Sequence, residues 1–216
     1  MNSVEGSGAL APHDLSKSPI YKIKGAHMTC PTPKSKRTSN GIKIPVLISS
    51  ARIQNKVRRL ARQISKDYRH RTPLIICILN GAFVFMTDLL KNLTIPIEYD
   101  FIRLSSYGQT TKSSGRIKVV LPTRLGSDIT SQVKGKDIII VDDIIDTGLT
   151  ARFLTNRFKQ ARSIRICALL NKKTHRIDQV KIDYLGFNIT NKFVVGYGLD
   201  YNEQYRQLDY VGYIPD

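Results

Sequence analysis

The chain has 216 residues, 41% of them hydrophobic, with 34 Lys and Arg against 17 Asp and Glu and a formal net charge of +17. This size and composition suit one well-packed domain and exclude a fibrous or wholly disordered protein. No apolar run approaches the roughly 18 to 20 residues that cross a bilayer, so we expect a soluble protein with no membrane partner. Cys30, Cys77 and Cys167 have no metal-ligand spacing and are expected to be reduced thiols.

The positive charge is compatible with two kinds of partner. Clustered Lys and Arg neutralise nucleic-acid phosphates, and they equally suit a small substrate that carries several phosphates. Residues 1–45 hold seven Lys and Arg against Glu5 and Asp14, so about a third of the excess lies outside the expected core. Because no aromatic side chains are interleaved with the basic ones, we favour phosphate chemistry and expect no nucleic-acid partner.

The first 45 residues are predicted to be a flexible basic N-terminal extension. They are rich in Ser, Pro, Gly, Thr and Lys and have no sustained apolar period, so they cannot bury enough surface to order themselves. A native tail, a transit-like segment and cloning-derived residues around 25–28 remain open as its origin. The folded domain is therefore expected over residues 46–216.

Strands and helices are predicted to alternate through this domain. Apolar residues recur at helical spacing over 53–64 and predict an amphipathic helix that begins at Ser49 or Ser50 and ends before Thr72. The later elements are a strand at 74–79, a helix at 85–90, strands at 97–104, 117–121 and 137–141, a helix at 150–160 and a strand at 164–170. This order predicts an α/β fold with a mostly parallel sheet flanked by helices, whose ligands lie beyond the carboxyl ends of the strands.

The most informative segment is residues 138–150, where a buried strand leads to three aspartates and then to a turn of small residues. Asp142 and Asp143 can accept hydrogen bonds from vicinal ribose hydroxyls, while amides and hydroxyls at 147–150 can surround a phosphate at a helix N-terminus. A sugar phosphate satisfies both halves. In one alternative, Asp142 and Asp143 only end a strand and Asp146 or Thr147 caps the helix that follows. A metal-dependent phosphatase or receiver domain is another, although the DxDx[TV] order of a phosphatase nucleophile is absent.

This segment resembles the PRPP-binding motif of phosphoribosyltransferases, and residues 44–216 resemble the hypoxanthine-guanine(-xanthine) branch of that family. The resemblance implies the type I phosphoribosyltransferase fold, with a small hood formed by terminal segments. It differs at Asp142, where the family usually has glutamate. The residues that it assigns to PRPP in this segment are Asp142, Asp143, Thr147, Gly148, Leu149 and Thr150.

Two further motifs resemble loops of the family. Residues 79–83 are similar to the pyrophosphate loop, which implies a non-proline cis peptide and phosphate contacts at Asn80 and Gly81, with Asn80 where the family often has lysine. Residues 105–115 resemble the flexible catalytic loop, with Ser106 and Tyr107 at its start. Considered alone, Asn80-Gly81 is an ordinary turn and the polar stretch is a plain connection.

The resemblance assigns purine recognition to the C-terminal third of the chain. Residues 169–172 match the motif whose lysine, here Lys172, donates a hydrogen bond to the exocyclic oxygen of a 6-oxopurine. Residues 192–206 match the motif that separates purine salvage from other transferases. In it Phe193 stacks on the base, and the Val194 backbone reads the purine edge. Considered alone, Lys172 is one solvated lysine among many, and Phe193 and Val194 are strand core.

The same motif supplies the groups that would hold the leaving pyrophosphate. The resemblance implies that Asp200 holds Mg²⁺, with Asp142 and Asp143 as further metal-site carboxylates, and that Arg206 approaches pyrophosphate. From its position in the segment, Asp146 is expected to accept the N7 proton as general base. Considered alone, Asp200 belongs to a turn.

These assignments predict a cytoplasmic purine-salvage transferase that joins hypoxanthine or guanine to PRPP, with xanthine left open, and that forms a homodimer or homotetramer. Two rivals remain. One is a regulatory RNA-binding protein on the same fold, prompted by the basic charge. The other is an inactive paralogue, prompted by Asn80 and Asp142.

Overall fold

A computed structural model describes residues 44–106, 117–119, 132–172 and 180–215. The strands in these residues are β1 (Val46–Ile48), β2 (Leu74–Leu79), β3 (Glu98–Ser106), β4 (Ile117–Val119), β5 (Asp137–Ile145), β6 (Ser163–Lys172), β7 (Tyr184–Ile189), β8 (Val194–Val195) and β9 (Val211–Tyr213). The helices are α1 (Ser50–Asp67), α2 (Phe83–Asn92) and α3 (Leu149–Arg157). The predicted extension falls almost wholly outside the described residues, so the domain boundary at residue 45 stays a prediction.

The main sheet has six strands in the order β4-β3-β2-β5-β6-β7. Strands β3, β2, β5, β6 and β7 run parallel to each other, and β4 pairs antiparallel with β3 at the edge of the sheet. Strand β2 is apolar throughout and β5 begins with a run of Ile and Val, because side chains on both faces of these central strands are covered. The predicted parallel α/β sheet is confirmed, and its carboxyl ends meet at one edge of the molecule.

A second, smaller sheet joins the two ends of the described chain. Strand β9 pairs antiparallel with β1 on one side and with β8 on the other. Ile44, Val195, Tyr205, Leu208 and Tyr210 form an apolar cluster beside it. This arrangement matches the hood of terminal segments that the resemblance implies.

Helix α1 follows its sequence pattern closely. Ile53, Val57, Leu60 and Ile64 are all buried in the core that also holds β2 and β5 residues, while the arginines between them are exposed. The helix ends at Asp67, and the Tyr68 amide donates to the Ile64 carbonyl over 3.0 Å. No helix in the described ranges is long and apolar enough to cross a membrane.

Three strands, β3, β5 and β6, extend past the ends that the sequence pattern predicts, and two of them bear on the site. Strand β5 runs on to Ile145, which pairs with Asn171, so Asp142 and Asp143 are strand residues rather than the start of a loop. Strand β3 runs on to Ser106, which pairs with Ile117 of β4, so the predicted polar loop begins later than residue 105. In both places backbone hydrogen bonding continues although the side chains become polar.

Two of the three cysteines lie in these central strands. Cys77 in β2 and Cys167 in β6 are free and fully buried. Burial, with smaller contributions from the charges of Asp142 and Asp143, raises the pKa of the Cys77 thiol to about 12. These neutral thiols are core side chains, as expected, while Cys30 lies outside the described residues.

Candidate functional site

The candidate site is built around the C-terminal end of β5, where the strand delivers Asp142 and Asp143 to the edge of the sheet. Asp142 is 6% exposed, and one of its carboxylate oxygens accepts from the Asp143 amide over 3.1 Å. Burial, and next the nearby charge of Asp143, raises the pKa of Asp142 well above its usual range. Burial also raises the pKa of Asp143, while hydrogen bonds and the charge of Arg206 lower it in part. The two carboxylates, one buried at Asp142 and one half-buried at Asp143, therefore form an acidic pair close to an arginine.

The turn after β5 forms a small concave surface. Gly148 has a φ of 87°, which glycine adopts without strain, and it directly precedes α3. The first helical hydrogen bond runs from the Arg152 amide to the Gly148 carbonyl over 3.0 Å, so the amides of 149–151 precede the helical ladder. A cavity of about 100 Å³ opens here, lined by Asp142, Ile144, Ile145, Asp146, Thr147, Gly148, Thr150 and Ala151. An anion of phosphate size suits the amides and hydroxyls that line this cavity.

The start of α3 bears on the helix-cap alternative that the sequence left open. Gly148 is the N-cap residue by position, and it has no side chain that could make a cap bond. The Leu149 amide instead donates to the Thr147 hydroxyl over 3.4 Å. The Thr147 hydroxyl thus supports the start of the helix, and the Asp146 and Thr147 side chains both line the cavity.

The turn after β2 lies against this acidic pair. The peptide bond between Leu79 and Asn80 is cis, as the resemblance implies. A Cβ atom at Gly81 would overlap the Asp143 carboxylate, so any larger residue there would displace that side chain. The Asn80 side chain is exposed. The turn therefore offers backbone groups and an open face beside Asp143.

A second backbone segment closes on the same turn. A Cβ atom at Gly198 would overlap the Gly81 carbonyl oxygen, so the two glycine backbones are in direct contact. Gly198 has a φ of 99°, its amide donates to the Arg206 carbonyl over 3.0 Å, and its carbonyl accepts from the Arg206 guanidinium over 2.9 Å. The C-terminal motif and the turn after β2 are thereby held together.

Arg206 and Asp200 form an ion pair in this C-terminal motif. The Arg206 Nη2 lies 2.9 Å from Asp200 Oδ1 and 3.0 Å from Glu203 Oε2. The other Asp200 oxygen, Oδ2, accepts from the Glu203 amide over 3.0 Å. About 27% of the Arg206 side chain is exposed, so its charge can reach a ligand at the mouth of the site. No sequence pattern predicts the contacts of Glu203 with Arg206 and Asp200.

Lys172 ends β6 beside the turn that carries Asp146. Its Nζ lies 4.0 Å from Asp146 Oδ2, and its side chain is only 13% exposed. The preceding residue, Asn171, is buried and donates its side-chain amide to Asn188 Oδ1 over 2.7 Å, which ties β6 to β7. A fixed, largely desolvated ammonium thus faces an aspartate across the carboxyl edge of the sheet. Lys173 lies outside the described residues.

Phe193 and Val194 are presented by the smaller sheet. Phe193 is 55% exposed, and its ring packs edge-on against Tyr201 at 5.5 Å between centroids. Val194 is 7% exposed and pairs with Tyr213 of β9, while the Phe193 carbonyl accepts from the Ile214 amide over 2.9 Å. The exposed ring face is open to a planar ligand. The predicted strand-core alternative is therefore correct for Val194 only.

One polar network at the site has no counterpart in the sequence analysis. The Tyr197 hydroxyl donates to Asp88 Oδ2 on α2 over 2.7 Å, and the same oxygen accepts from the Gln54 side chain on α1 over 2.5 Å. Tyr197 is 3% exposed and has a φ of 51° between Gly196 and Gly198. Burial, with the Asp88 hydrogen bond and charge as further causes, raises the pKa of the Tyr197 phenol. The network anchors the backbone that contacts Gly81.

The carboxylates of the site suit a hard divalent cation whose other ligands are water and substrate. Within the part of the chain that the structure describes, they do not form a metal site whose ligands all come from the protein. Among the described residues no three His, Cys, Asp or Glu side chains lie together in a metal-binding group. Asp142, Asp143 and Asp200 are oxygen donors, which Mg²⁺ prefers. Because Mg²⁺ keeps several waters and uses one or two carboxylates together with substrate phosphates, a dispersed set of acids is compatible with it. Of the predicted loop pair, Ser106 is the last residue of β3, and Tyr107 lies outside the described residues.

The fold and this site define the chain as a member of the phosphoribosyltransferases. The family described as the phosphoribosyl transferase domain matches residues 49–202. A crystal structure of a hypoxanthine-guanine phosphoribosyltransferase from Bacillus anthracis superposes with a TM-score of 0.73 and 36% identity, covering 80% of this chain and all of that one.

Two curated relatives narrow the class. The hypoxanthine-guanine phosphoribosyltransferase of Bacillus subtilis is 44% identical over 169 residues, which are 77% of this chain and 91% of that protein. The bifunctional protein TilS/HprT of Listeria monocytogenes is 43% identical over 169 residues, and there the match spans 25% of the relative's length. The chain belongs to the hypoxanthine-guanine phosphoribosyltransferase family.

Proposed function

We propose that the chain is a 6-oxopurine phosphoribosyltransferase, which transfers the phosphoribosyl group of PRPP to hypoxanthine or guanine and releases pyrophosphate. Xanthine remains a third candidate base. One observation carries the proposal: the Asp142–Asp143 pair, the cavity at the start of α3 and the Lys172–Asp146 pair lie along one edge of the sheet. The 44% identity to the Bacillus subtilis enzyme supports the same reaction.

The reaction breaks the bond between ribose C1′ and the pyrophosphate oxygen and forms the bond between C1′ and purine N9. The base loses one proton, and we assign its acceptance from N7 to Asp146, whose Oδ2 lies 4.0 Å from the Lys172 ammonium. Departure of a highly charged leaving group gives the ribose an oxocarbenium-like character. In this proposal Asp142 and Asp143 hold the ribose hydroxyls, and residues 147–150 hold the 5′-phosphate.

Lys172 would select the base. An ammonium group only donates hydrogen bonds, so the 6-oxo oxygen of hypoxanthine or guanine satisfies it, whereas the 6-amino group of adenine does not. Because the Lys172 side chain is only 13% exposed, an adenine in this site would leave a largely buried charge without that partner. The exposed Phe193 ring would stack on the purine plane, with the Val194 backbone reading its edge.

Pyrophosphate would be held where two glycine backbones meet. The turn at Asn80 and Gly81 contacts Gly198, whose neighbour in space is the Arg206 guanidinium. We assign phosphate contacts to these backbone groups and to Arg206. We also propose magnesium as the divalent cation, held by Asp200 with Asp142 and Asp143. When bound, it would neutralise the negative charge that develops on the leaving pyrophosphate.

Further features of the protein are proposed on the same footing. We infer that residues 46–216 form the transferase domain behind a flexible basic extension, and that the loop starting at Ser106 and Tyr107 folds over the reacting centre. We also infer a cytoplasmic homodimer or homotetramer.

The test is a parallel assay of the purified protein with PRPP, magnesium and each of hypoxanthine, guanine, xanthine and adenine, following nucleotide formation by absorbance. We expect turnover with hypoxanthine or guanine, none with adenine, and loss of turnover when a chelator removes the metal. Absence of turnover with every base would reject the proposal in favour of a regulatory or inactive protein.

A further inference from the structure

The positive charge of the domain is concentrated in one short segment. Residues 46–216 hold 27 Lys and Arg against 15 Asp and Glu, a net charge of +12. Residues 52–71 alone hold eight Lys and Arg against the single acid Asp67, a net charge of +7. More than half of the domain's excess charge therefore lies on α1 and the turn that follows it.

The helix presents these cations on one side. We call Arg52, Lys56, Arg58, Arg59, Arg62 and Lys66 the basic face of α1; all but the half-buried Lys56 are exposed. Arg52, Arg59, Arg62 and Lys66 follow each other at intervals of seven, three and four residues, which keeps them on one stripe of the helix. At a rise of about 1.5 Å per residue, the stripe from Arg52 to Lys66 is about 21 Å long.

Internal ion pairing does not account for the basic face. Within the described part of the chain, its six cations form no ion pair, and the one acid of α1, Asp67, pairs with Arg165 at 2.8 Å. Arg52 and Lys56 lie over the Phe187 ring, at 5.7 and 5.3 Å from its centroid. Like charges such as Arg58 and Arg62, four residues apart, destabilise a helix by about 0.2 to 0.5 kcal/mol. Helix stability therefore does not explain this arrangement.

We propose that the basic face of α1 binds the phosphodiester backbone of nucleic acid, without preference for sequence. A stripe about 21 Å long requires an extended polyanion, since a small phosphorylated ligand could touch only part of it. Duplex DNA presents one negative charge per about 1.7 Å of its axis, so it can occupy the whole stripe. The face has no aromatic side chain on which bases could stack, so the contacts are to phosphates alone.

A membrane surface fits this helix less well. An interfacial helix buries an exposed apolar face in the lipid, but the apolar side chains of α1 are in the protein core. The large hydrophobic side chains that are exposed in the described residues are Val46, Phe83, Tyr99, Phe193 and Tyr201, none of which is on α1. The proposal revises the sequence-based expectation of no nucleic-acid partner, which rested on the lack of aromatic side chains between the basic ones; contacts to phosphates alone do not need such side chains.

The test compares two triple variants of the full chain that remove the same charge. The first is Arg59→Gln, Arg62→Gln and Lys66→Gln on the basic face. The matched control is Lys134→Gln, Lys159→Gln and Lys181→Gln, at exposed positions outside α1. Fluorescence anisotropy with a labelled 20-nucleotide RNA and a 20-base-pair DNA, titrated between about 50 and 200 mM salt, measures binding.

We expect wild type and control to bind both probes, and the basic-face variant to bind at least ~10-fold more weakly at about 50 mM salt. The slope of log affinity against log salt should fall by about 2 to 3 in the basic-face variant, close to one per cation removed. A third variant, Arg59→Lys, Arg62→Lys and Lys66→Arg, keeps the charge and should bind like wild type. All three should retain the transferase turnover of the wild type.

Several results would overturn the proposal. Equal weakening in the basic-face variant and the control would assign binding to net charge alone. Unchanged binding in the basic-face variant would assign it to another part of the chain, such as residues 1–45. Variant-sensitive binding to phosphatidylserine vesicles without binding to RNA or DNA would assign the face to a membrane. Loss of binding in the charge-retaining variant would also contradict a contact made through charge.

Discussion

Replacing Tyr197 by phenylalanine tests whether the Tyr197–Asp88 hydrogen bond fixes the pyrophosphate end of the site. The change removes one hydroxyl from a side chain that is 3% exposed and leaves the ring in place. Asp88 keeps the Gln54 side chain at 2.5 Å and Lys91 at 3.8 Å, but it loses the 2.7 Å bond from the phenol. A hydrogen bond to a charged group contributes about 1.5 to 3 kcal/mol. Because the Asp88 side chain is 22% exposed, we expect the lower end, about 1.5 kcal/mol.

The loss should appear in both stability and substrate binding. For a domain of this size, about 1.5 kcal/mol corresponds to a fall in Tm of about 3 to 6 °C. Tyr197 holds the backbone that places Gly198 against Gly81 and Arg206, so a looser segment must be ordered by the substrate. We therefore expect KM for PRPP to rise up to ~10-fold, which corresponds to about 1.4 kcal/mol. KM for the purine should stay unchanged, because Lys172 and Phe193 are not in this network.

The assay is steady-state kinetics with each substrate varied in turn, together with thermal unfolding. Tyr99→Phe, at a tyrosine that is 49% exposed, is the control and should match the wild type. Asp88→Asn and the double variant complete a cycle, in which the two changes should be coupled by about 1 kcal/mol. A normal Tm with a normal KM for PRPP in Tyr197→Phe would refute the reasoning. Equal rises in both KM values would show a general loss of structure instead of a local one.

Three further predictions concern single side chains. Asp146→Asn should lower kcat by ~10²-fold with little change in PRPP binding, and an unchanged kcat would remove Asp146 as the general base. Lys172→Met should lower kcat/KM for hypoxanthine by roughly 10- to 100-fold and reduce the preference for hypoxanthine over adenine in the four-base assay. An unchanged preference would contradict the role of Lys172 in selecting the base. The third side chain is Asp137, which is not exposed. The hydrogen bond from Arg162 lowers its pKa to about 2, with help from the Ser163 hydrogen bond and nearby positive charges, although burial alone would raise it. The ionised Asp137 therefore stabilises the fold above the unfolded pKa near 4, and this stabilisation is lost as pH falls toward 2. Asp137→Asn should be about 2 kcal/mol less stable than wild type at pH 7. Chemical denaturation should show the difference in unfolding free energy shrinking as the pH is lowered.

The elements with continuous apolar or amphipathic patterns could be predicted from the sequence. Residues 74–79 were predicted as a strand and form β2 with the same bounds, because burial on both faces requires an apolar side chain at every position. The pattern failed at Asp142 and Asp143, where polarity suggested that the strand had ended. Strand pairing depends on backbone groups, and Ile144 and Ile145 beyond the acids were the local signal for a longer strand.

The parts of the candidate site that lie far apart in sequence could be named by resemblance, but their contacts could not be predicted. Nothing local to Asp88 indicates that its carboxylate accepts from both the Tyr197 hydroxyl and the Gln54 side chain, because Asp88 lies 109 residues from Tyr197 and 34 residues from Gln54. The same holds for the contact between the Gly81 and Gly198 backbones. These contacts depend on how the segment after β8 packs beside α2 in the folded protein. The spacing of apolar residues in the sequence does not indicate that packing.

The two glycines of the Gly196-Tyr197-Gly198 segment are a local sequence signal for these close backbone contacts. A Cβ atom at Gly196 would overlap the Tyr210 carbonyl, and one at Gly198 would overlap the Gly81 carbonyl, so both glycines are required by close backbone approach. Tyr197 between them has a φ of 51°, a left-handed conformation that costs a non-glycine residue about 1 to 2 kcal/mol. Its bond to Asp88 is of similar size, so the two effects nearly cancel. A glycine at 197 would remove the strain and the anchor together, and the segment would lose the constraint that places Gly198 and Arg206.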